Sequence, residues 1–207
     1  METLWQCPPG AVATVVLAHG AGAGMRHRSM EQIAAAFARA GLATLRFDFP
    51  FISAGRKRPD TRPVATAAVA SAARQAAESS ALPLFLGGHS FGGRMASHAV
   101  LDHAIDPHGL LFLSFPLHPA GKPGIERAAH LAAIGRPMLF LSGTRDALAE
   151  RALLEGVVGG LPLAELHWLE AVDHGYRAPA RARAGRGDVF DEIARVARAF
   201  VDRHAAT

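Results

Sequence analysis

Short apolar runs alternate with longer alanine-rich stretches along almost the whole chain, and this alternation restricts the fold more than any other feature. Val12–Ala18, Leu42–Phe47, Leu84–Gly88, Gly109–Ser114, Pro137–Ser142 and Leu163–Leu169 have the length and branching of strands. Between them, Ser29–Ala40, Arg62–Glu78, Phe91–Asp102, Ile125–Ala133 and Ala147–Val158 read as helices, and Val189–His204 closes the chain as another. Ser29 is expected to cap its helix and Gly41 to end it at the C-cap. In the last helix Val189, Phe190, Ile193, Val196, Ala197 and Phe200 recur at helical spacing and form one apolar face. Strands apolar throughout and separated by helices imply a parallel sheet covered on both faces. Right-handed crossovers then bring all strand-to-helix turns to one edge, where open α/β sheets bind ligands. The class is α/β, with a mostly parallel sheet of about six to seven strands.

A length of 207 residues suits one domain, 1–207, with a sizeable core. Half the residues are apolar and 19% are charged, which excludes a disordered chain. No apolar run approaches the roughly 20 residues needed to span a bilayer, so no membrane role is expected. The segment Met1 to Gly10 has neither a basic region nor a small-residue cleavage site, and no secretory signal is expected. Cys7 is the only cysteine, which rules out an internal disulfide and a thiolate metal cluster. These features point to the cytoplasm. The charge of +4 and sequence pI near 10.2 raise the question of nucleic acid. The bases are nearly all arginine, spread among acidic residues, and read as a compositional habit rather than a binding stripe. Two local basic stretches, Gly55-Arg56-Lys57-Arg58 with Arg62 and Arg177 to Arg186, read first as solvated loops.

The chemistry-bearing motif is G-x-S-x-G at Gly88-His89-Ser90-Phe91-Gly92, where a short apolar run meets a helical one. So sharp a turn forces its serine into a strained backbone conformation, costing on the order of 1–3 kcal/mol. Neighbouring backbone presses on the positions two before and two after, which explains Gly88 and Gly92. Ser90 Oγ should stand exposed at the helix start, with the Phe91 amide pointing into the site. His89 faces away from that side and is expected to pack and hydrogen-bond. After the first long strand comes His19-Gly20-Ala21-Gly22, whose small residues let a carbonyl approach the main chain. Ala21 is the expected second oxyanion donor and Gly22 its substitute. A phosphate cradle is the other reading, but the loop lacks the lysine and the full glycine pattern such loops use. His19 itself is expected to be a structural hydrogen-bonder.

A serine hydroxyl needs a base to take its proton, and the base needs a carboxylate to hold its tautomer. The chain order for an elbow of this kind is Ser, acid, His. Asp146 follows the strand ending near Ser142, and His174 follows the last strand, both on the expected active edge. His167 lies within a strand and His204 within the terminal helix. Glu170 and Asp173 are rival acids, although Asp173 points away from the ring of its neighbour.

With these elements placed, the chain resembles the serine α/β-hydrolases of dienelactone-hydrolase-like type. More closely it is similar to the α/β-hydrolase-like family typified by a chromatin-complex subunit and a testis-expressed protein, with many bacterial members. The matching stretches are His19–Gly22, Phe47-Asp48-Phe49-Pro50-Phe51 with Gly55 to Asp60, Gly88–Gly93, Phe115-Pro116-Leu117-His118 with Gly121-Lys122-Pro123, Gly143–Asp146 and Asp173-His174. The resemblance implies an α/β-hydrolase fold, and the only long connection, Phe115 to Gly124, is too short for a cap domain. It also implies Ser90, Asp146 and His174 as triad positions. The basic loop and the Pro-Leu-His turn make Arg56, Lys57, Arg58 and His118 candidate substrate-binding residues. Dienelactone hydrolases proper use a cysteine nucleophile, so Ser90 departs from that particular activity.

The expected function is hydrolysis of a small-molecule ester or thioester through an acyl-enzyme on Ser90. The basic loop, if it borders the pocket, would favour an anionic substrate. A catalytically silent interaction module and a small serine peptidase are the alternatives. No cofactor, metal or nucleic acid is expected, and the oligomeric state is left open.

Overall fold

Each apolar run becomes a strand of one sheet in the computed structural model, which describes residues 1–206. The elements follow in the order β1 (Thr3–Gln6), β2 (Ala13–Ala18), α1 (Arg28–Arg39), β3 (Leu42–Phe47), α2 (Pro50–Ser53), α3 (Arg62–Ser79), β4 (Leu84–His89) and α4 (Phe91–Asp102). Then come β5 (Gly109–Leu113), a 3-10 helix (Glu126–Ala133), β6 (Met138–Gly143), α5 (Arg151–Gly159), β7 (Ala164–Leu169), a 3-10 turn (Ala180–Arg183) and α6 (Val189–His204). The strand order is β1-β3-β2-β4-β5-β6-β7, parallel except for β1 against β3. No helix among the described residues is long and apolar enough to cross a membrane.

Strands β2 to β6 are buried nearly throughout, because each has an apolar layer on either side. Ile33 and Phe37 of α1 pack on one face with Ile193 and Phe200 of α6. Val69 and Ala72 of α3 and Met95 and Ala99 of α4 pack on the other with Phe112 and Phe140. α3 is rich in buried alanine and α4 buries Ala96 and Ala99, letting the two helices lie close over the same strands.

The chain winds from β2 to β3 on one side and returns across β2 to β4 on the other. The direction of winding therefore reverses between β2 and β4, and their carboxyl ends open a crevice there. β2 ends at Ala18, directly before the His19–Gly22 loop, and β4 ends at His89, directly before Ser90. Topology alone thus places both glycine-rich turns at one spot.

Several expectations need correction. The edge strand β1 is absent from the sequence reading because its four residues carry no sustained apolar pattern; Trp5 is exposed. His27, not Ser29, caps α1: its ring accepts the Ser29 amide at 3.3 Å, because the helix begins one residue earlier. Ala40 is the C-cap, and Gly41 follows with φ of 75°. The segment from Ile125 tightens into a 3-10 helix. α5 starts at Arg151 instead of Ala147, because residues 147–150 close a turn around Asp146. There the Leu148 amide donates to Asp146 Oδ1 at 2.8 Å and the Ala149 amide to the Asp146 carbonyl at 3.3 Å.

Histidines buried in neutral form make the fold sensitive to mild acid. His98 of α4 and His130 of the 3-10 helix stack with ring centroids 3.6 Å apart, near Arg62 and Arg94. Burial, with those cations adding, pushes both pKa values down to about 4, and burial does the same to His89. An unfolded histidine titrates near its ordinary 6.5. Such groups leave stability intact above that pH and remove it progressively down to about 4. The lowered carboxylates Asp102 and Glu192 act at lower pH, since their ordinary values are 3.8 and 4.5. The melting temperature is therefore expected to fall between about pH 6.5 and 4. A flat profile across that interval in thermal unfolding monitored by circular dichroism is the contrary result.

Candidate active site

Ser90 occupies the turn between β4 and α4 with φ 53° and ψ −116°, a conformation L-residues rarely adopt. Its amide still donates to the Leu113 carbonyl at 2.9 Å, so the sheet ladder holds the strained residue in place. The glycines around it are sterically compelled. A Cβ on Gly88 would lie 2.2 Å from the Ala18 carbonyl oxygen, and one on Gly92 only 2.4 Å from it. The first residue of α4, Phe91, packs edge-on against Phe49, centroids 5.2 Å apart, and Phe49 packs on Phe47 at 5.1 Å. Phe47, Phe49 and Phe51 are fully buried, which explains the Phe-Asp-Phe-Pro-Phe segment as an anchor for the elbow. Burying one such ring contributes about 1.5–3 kcal/mol.

The Ser90 hydroxyl lies 2.8 Å from His174 Nε2, and His174 Nδ1 lies 2.7 Å from Asp146 Oδ2. The pattern defines the protons: Nδ1–H donates to the carboxylate, and Nε2 accepts from Oγ–H. Asp146 is buried, with Oδ1 satisfied by the Leu148 amide. The loop carrying His174 is pinned on two sides. Asp173 Oδ1 accepts the amides of Gly175 and Arg177, both at 2.9 Å, so this rival acid shapes the loop. From below, His89 Nε2–H donates to the His174 carbonyl at 3.0 Å, and burial keeps the His89 ring neutral and fit for that bond. A Cβ at Gly20 would meet His89 Nδ1 at 2.8 Å, so the ring also dictates a small residue there.

The loop after β2 is organised by His19, which is fully buried. Its Nδ1–H donates to the Gly20 carbonyl at 2.8 Å, while Nε2 accepts the Phe49 amide at 3.0 Å. Burial lowers its pKa and favours this neutral tautomer. Gly20, Ala21 and Gly22 line the same cleft of about 590 Å³ as Ser90 and His174. Phe91 begins α4, so its amide has no partner within that helix. A larger apolar hollow of about 830 Å³, between α2 and α3, does not reach Ser90.

The substrate-binding candidates fall elsewhere. Arg56, Lys57 and Arg58 are exposed and do not line the Ser90 cleft. Arg56 donates to Asp60 Oδ1 at 2.6 Å, while Asp60 Oδ2 accepts the Phe51 amide at 2.9 Å. His118 is buried rather than facing the cleft. Its amide donates to the Leu148 carbonyl at 3.2 Å and its Nδ1–H to the Pro119 carbonyl at 2.9 Å, which fastens the loop bearing Asp146. The cations that do line the cleft are Arg145 and Arg177, one residue before the acid and three after the histidine. Proximity to Asp146 and His174 in the sequence is the signal that could have found them.

Residues 11–202 match the family model described as an alpha/beta hydrolase domain. The chain belongs to the α/β-hydrolase family. Similar solved structures include dienelactone hydrolase from Anabaena variabilis, at 19% identity over 98% of this chain and 91% of that one, TM-score 0.75. Est1E from Butyrivibrio proteoclasticus, with ferulic acid bound, matches at 14% identity over 100% of this chain and 96% of its own, TM-score 0.73. A monoacylglycerol lipase from Paleococcus ferrophilus matches at 16% over 98% of each chain, TM-score 0.73. These likenesses support the α/β-hydrolase fold, and among the described residues no cap domain stands over the sheet edge. The dienelactone-hydrolase-like resemblance thus holds at the level of the superfamily.

Proposed function

We propose that the chain is a serine hydrolase that cleaves a small carboxylic ester or thioester through an acyl-enzyme on Ser90. The observation that carries the proposal is the unbroken hydrogen-bonded chain from Ser90 Oγ through His174 to buried Asp146. In this reading Ser90 Oγ attacks the carbonyl carbon as its proton passes to His174 Nε2. The amides of Phe91 and Ala21, with Gly22 as the alternative to Ala21, receive the oxyanion; one such donor is worth about 10²–10³ in rate. His174 Nε2–H then protonates the departing alcohol or thiol. Water, deprotonated by the same nitrogen, releases the acid and restores the hydroxyl. The open, cap-free cleft suits a small substrate rather than a peptide chain threaded past a guiding domain. An exposed Cys7 without a disulfide partner suits a reducing, cytoplasmic setting.

The interaction-module reading has no use for a serine held in a strained turn within reach of an oriented imidazole. A fluorophosphonate probe tests the choice. Covalent labelling of the wild type at Ser90, and none of Ser90→Ala, is the expected result. A folded wild-type protein that stays unlabelled overturns the proposal.

A further inference from the structure

Among the described residues, two arginines without an acidic partner lie on the turns that carry Asp146 and His174. Arg145 lies in the turn after β6, where its amide donates to the Val172 carbonyl at 2.9 Å. Arg177 closes the His174 loop, its amide donating to Asp173 Oδ1 and its carbonyl accepting the Asp173 amide, each at 2.9 Å. Both residues line the Ser90 cleft and both are exposed. Among the described residues no carboxylate pairs with either guanidinium. Arg56, Arg62, Arg136 and Arg183, by contrast, each have an acidic partner. Among the described residues the one carboxylate lining the cleft, Asp173, is committed to two backbone amides. The cleft therefore presents two free, backbone-anchored cations, and concave low-dielectric walls focus such a field on a ligand.

Their position also selects a side. The Gly20–Ala23 loop forms the wall where the oxyanion donors are placed, whereas Arg145 and Arg177 sit on the turns that carry Asp146 and His174. A leaving group departs toward the imidazole that protonates it. We propose that Arg145 and Arg177 form a subsite for an anion, a carboxylate or phosphate, carried on the alcohol or thiol half of the substrate. The subsite rests on the hydrolase reading above and narrows its substrate class. A guanidinium fork suits either oxyanion through paired N–H···O bonds.

The test compares 4-acetoxybenzoate with its neutral methyl ester, so that the charge lies on the leaving group. A second pair, 4-nitrophenyl hemisuccinate and 4-nitrophenyl butyrate, carries the charge on the acyl half. Each kcat/KM is divided by the rate of the same ester with hydroxide. The first ratio is expected to favour the anion by about tenfold or more, and the second to stay near unity. The first ratio should also shrink with added salt, since exposed charges are screened. It should collapse in Arg145→Glu/Arg177→Glu, and in Arg145→Gln/Arg177→Gln if charge reversal unfolds the protein. It should survive Lys57→Glu/Arg58→Glu. Turnover without the leaving-side preference, a larger acyl-side preference, or a preference that depends on Lys57 and Arg58 overturns the subsite alone. No turnover of any of the four esters, with no probe labelling, overturns the hydrolase reading and the subsite together.

Discussion

Ser90→Ala is expected to lower kcat on an activated aryl ester by about 10⁶ while leaving the fold intact. Alanine removes the hydroxyl proposed to carry the acyl group, and Ser29, the other serine lining the cleft among the described residues, is bonded to His27 rather than to His174. His89, the neighbouring side chain, lines the same cleft but is held by the His174 carbonyl through Nε2–H. Alanine has the same Cβ as serine, so the φ of 53° and the Leu113 hydrogen bond should persist. A residual acceleration of about 10³–10⁴ over water, from the oxyanion donors and from binding, is what such a variant should retain. Stopped-flow and steady-state kinetics with a matched melting curve decide the matter. Turnover comparable to wild type in a folded Ser90→Ala protein would remove Ser90 from the chemistry.

The second large effect belongs to Asp146→Asn, with an expected loss of about 10⁴ in kcat at nearly unchanged stability. The reason lies in how the carboxylate is held. Oδ1 accepts the Leu148 amide at 2.8 Å, so an asparagine must place its carbonyl oxygen there to avoid opposing two N–H groups. Its NH₂ then faces His174 Nδ1, which can only accept. The imidazole is driven to the tautomer with the proton on Nε2, and that nitrogen no longer accepts from Ser90 Oγ. The slowing should appear in the rate of probe labelling as well as in ester turnover. A variant within tenfold of wild type would mean that Asp146 does not set the tautomer.

Much of this architecture is legible from local signals. β3 and α4 run over the residues their apolar patterns predict, and Ser90 falls at the junction because G-x-S-x-G sits where a short apolar run meets a helical one. The pairing of Asp146 with His174 was anticipated from chain order along a parallel sheet. Signals fail where a partner distant in sequence takes over. β1 exists because β3 offers it an edge, and Thr3 gains a bond from Gln75 of α3. Residues 147–150 have helical composition, yet the Asp146 carboxylate and the His118 amide capture their polar groups first. The basic loop reads as a substrate clamp only while Asp60 is invisible beside Arg56.

By itself, then, the sequence determined the layered α/β class, the strained elbow and the identities of the three residues now seen in hydrogen-bonded order. Those properties follow from side-chain periodicity, steric demands of a few bonds and the fixed hand of crossovers, all of which act over short stretches of chain. Tertiary structure decided that Arg145 and Arg177 rather than the basic loop line the cleft, which backbone groups His19 and His89 hold, and where β1 joins the sheet. His19, His89 and β1 meet partners dozens of positions away, and no local pattern encodes the direction in which a side chain turns.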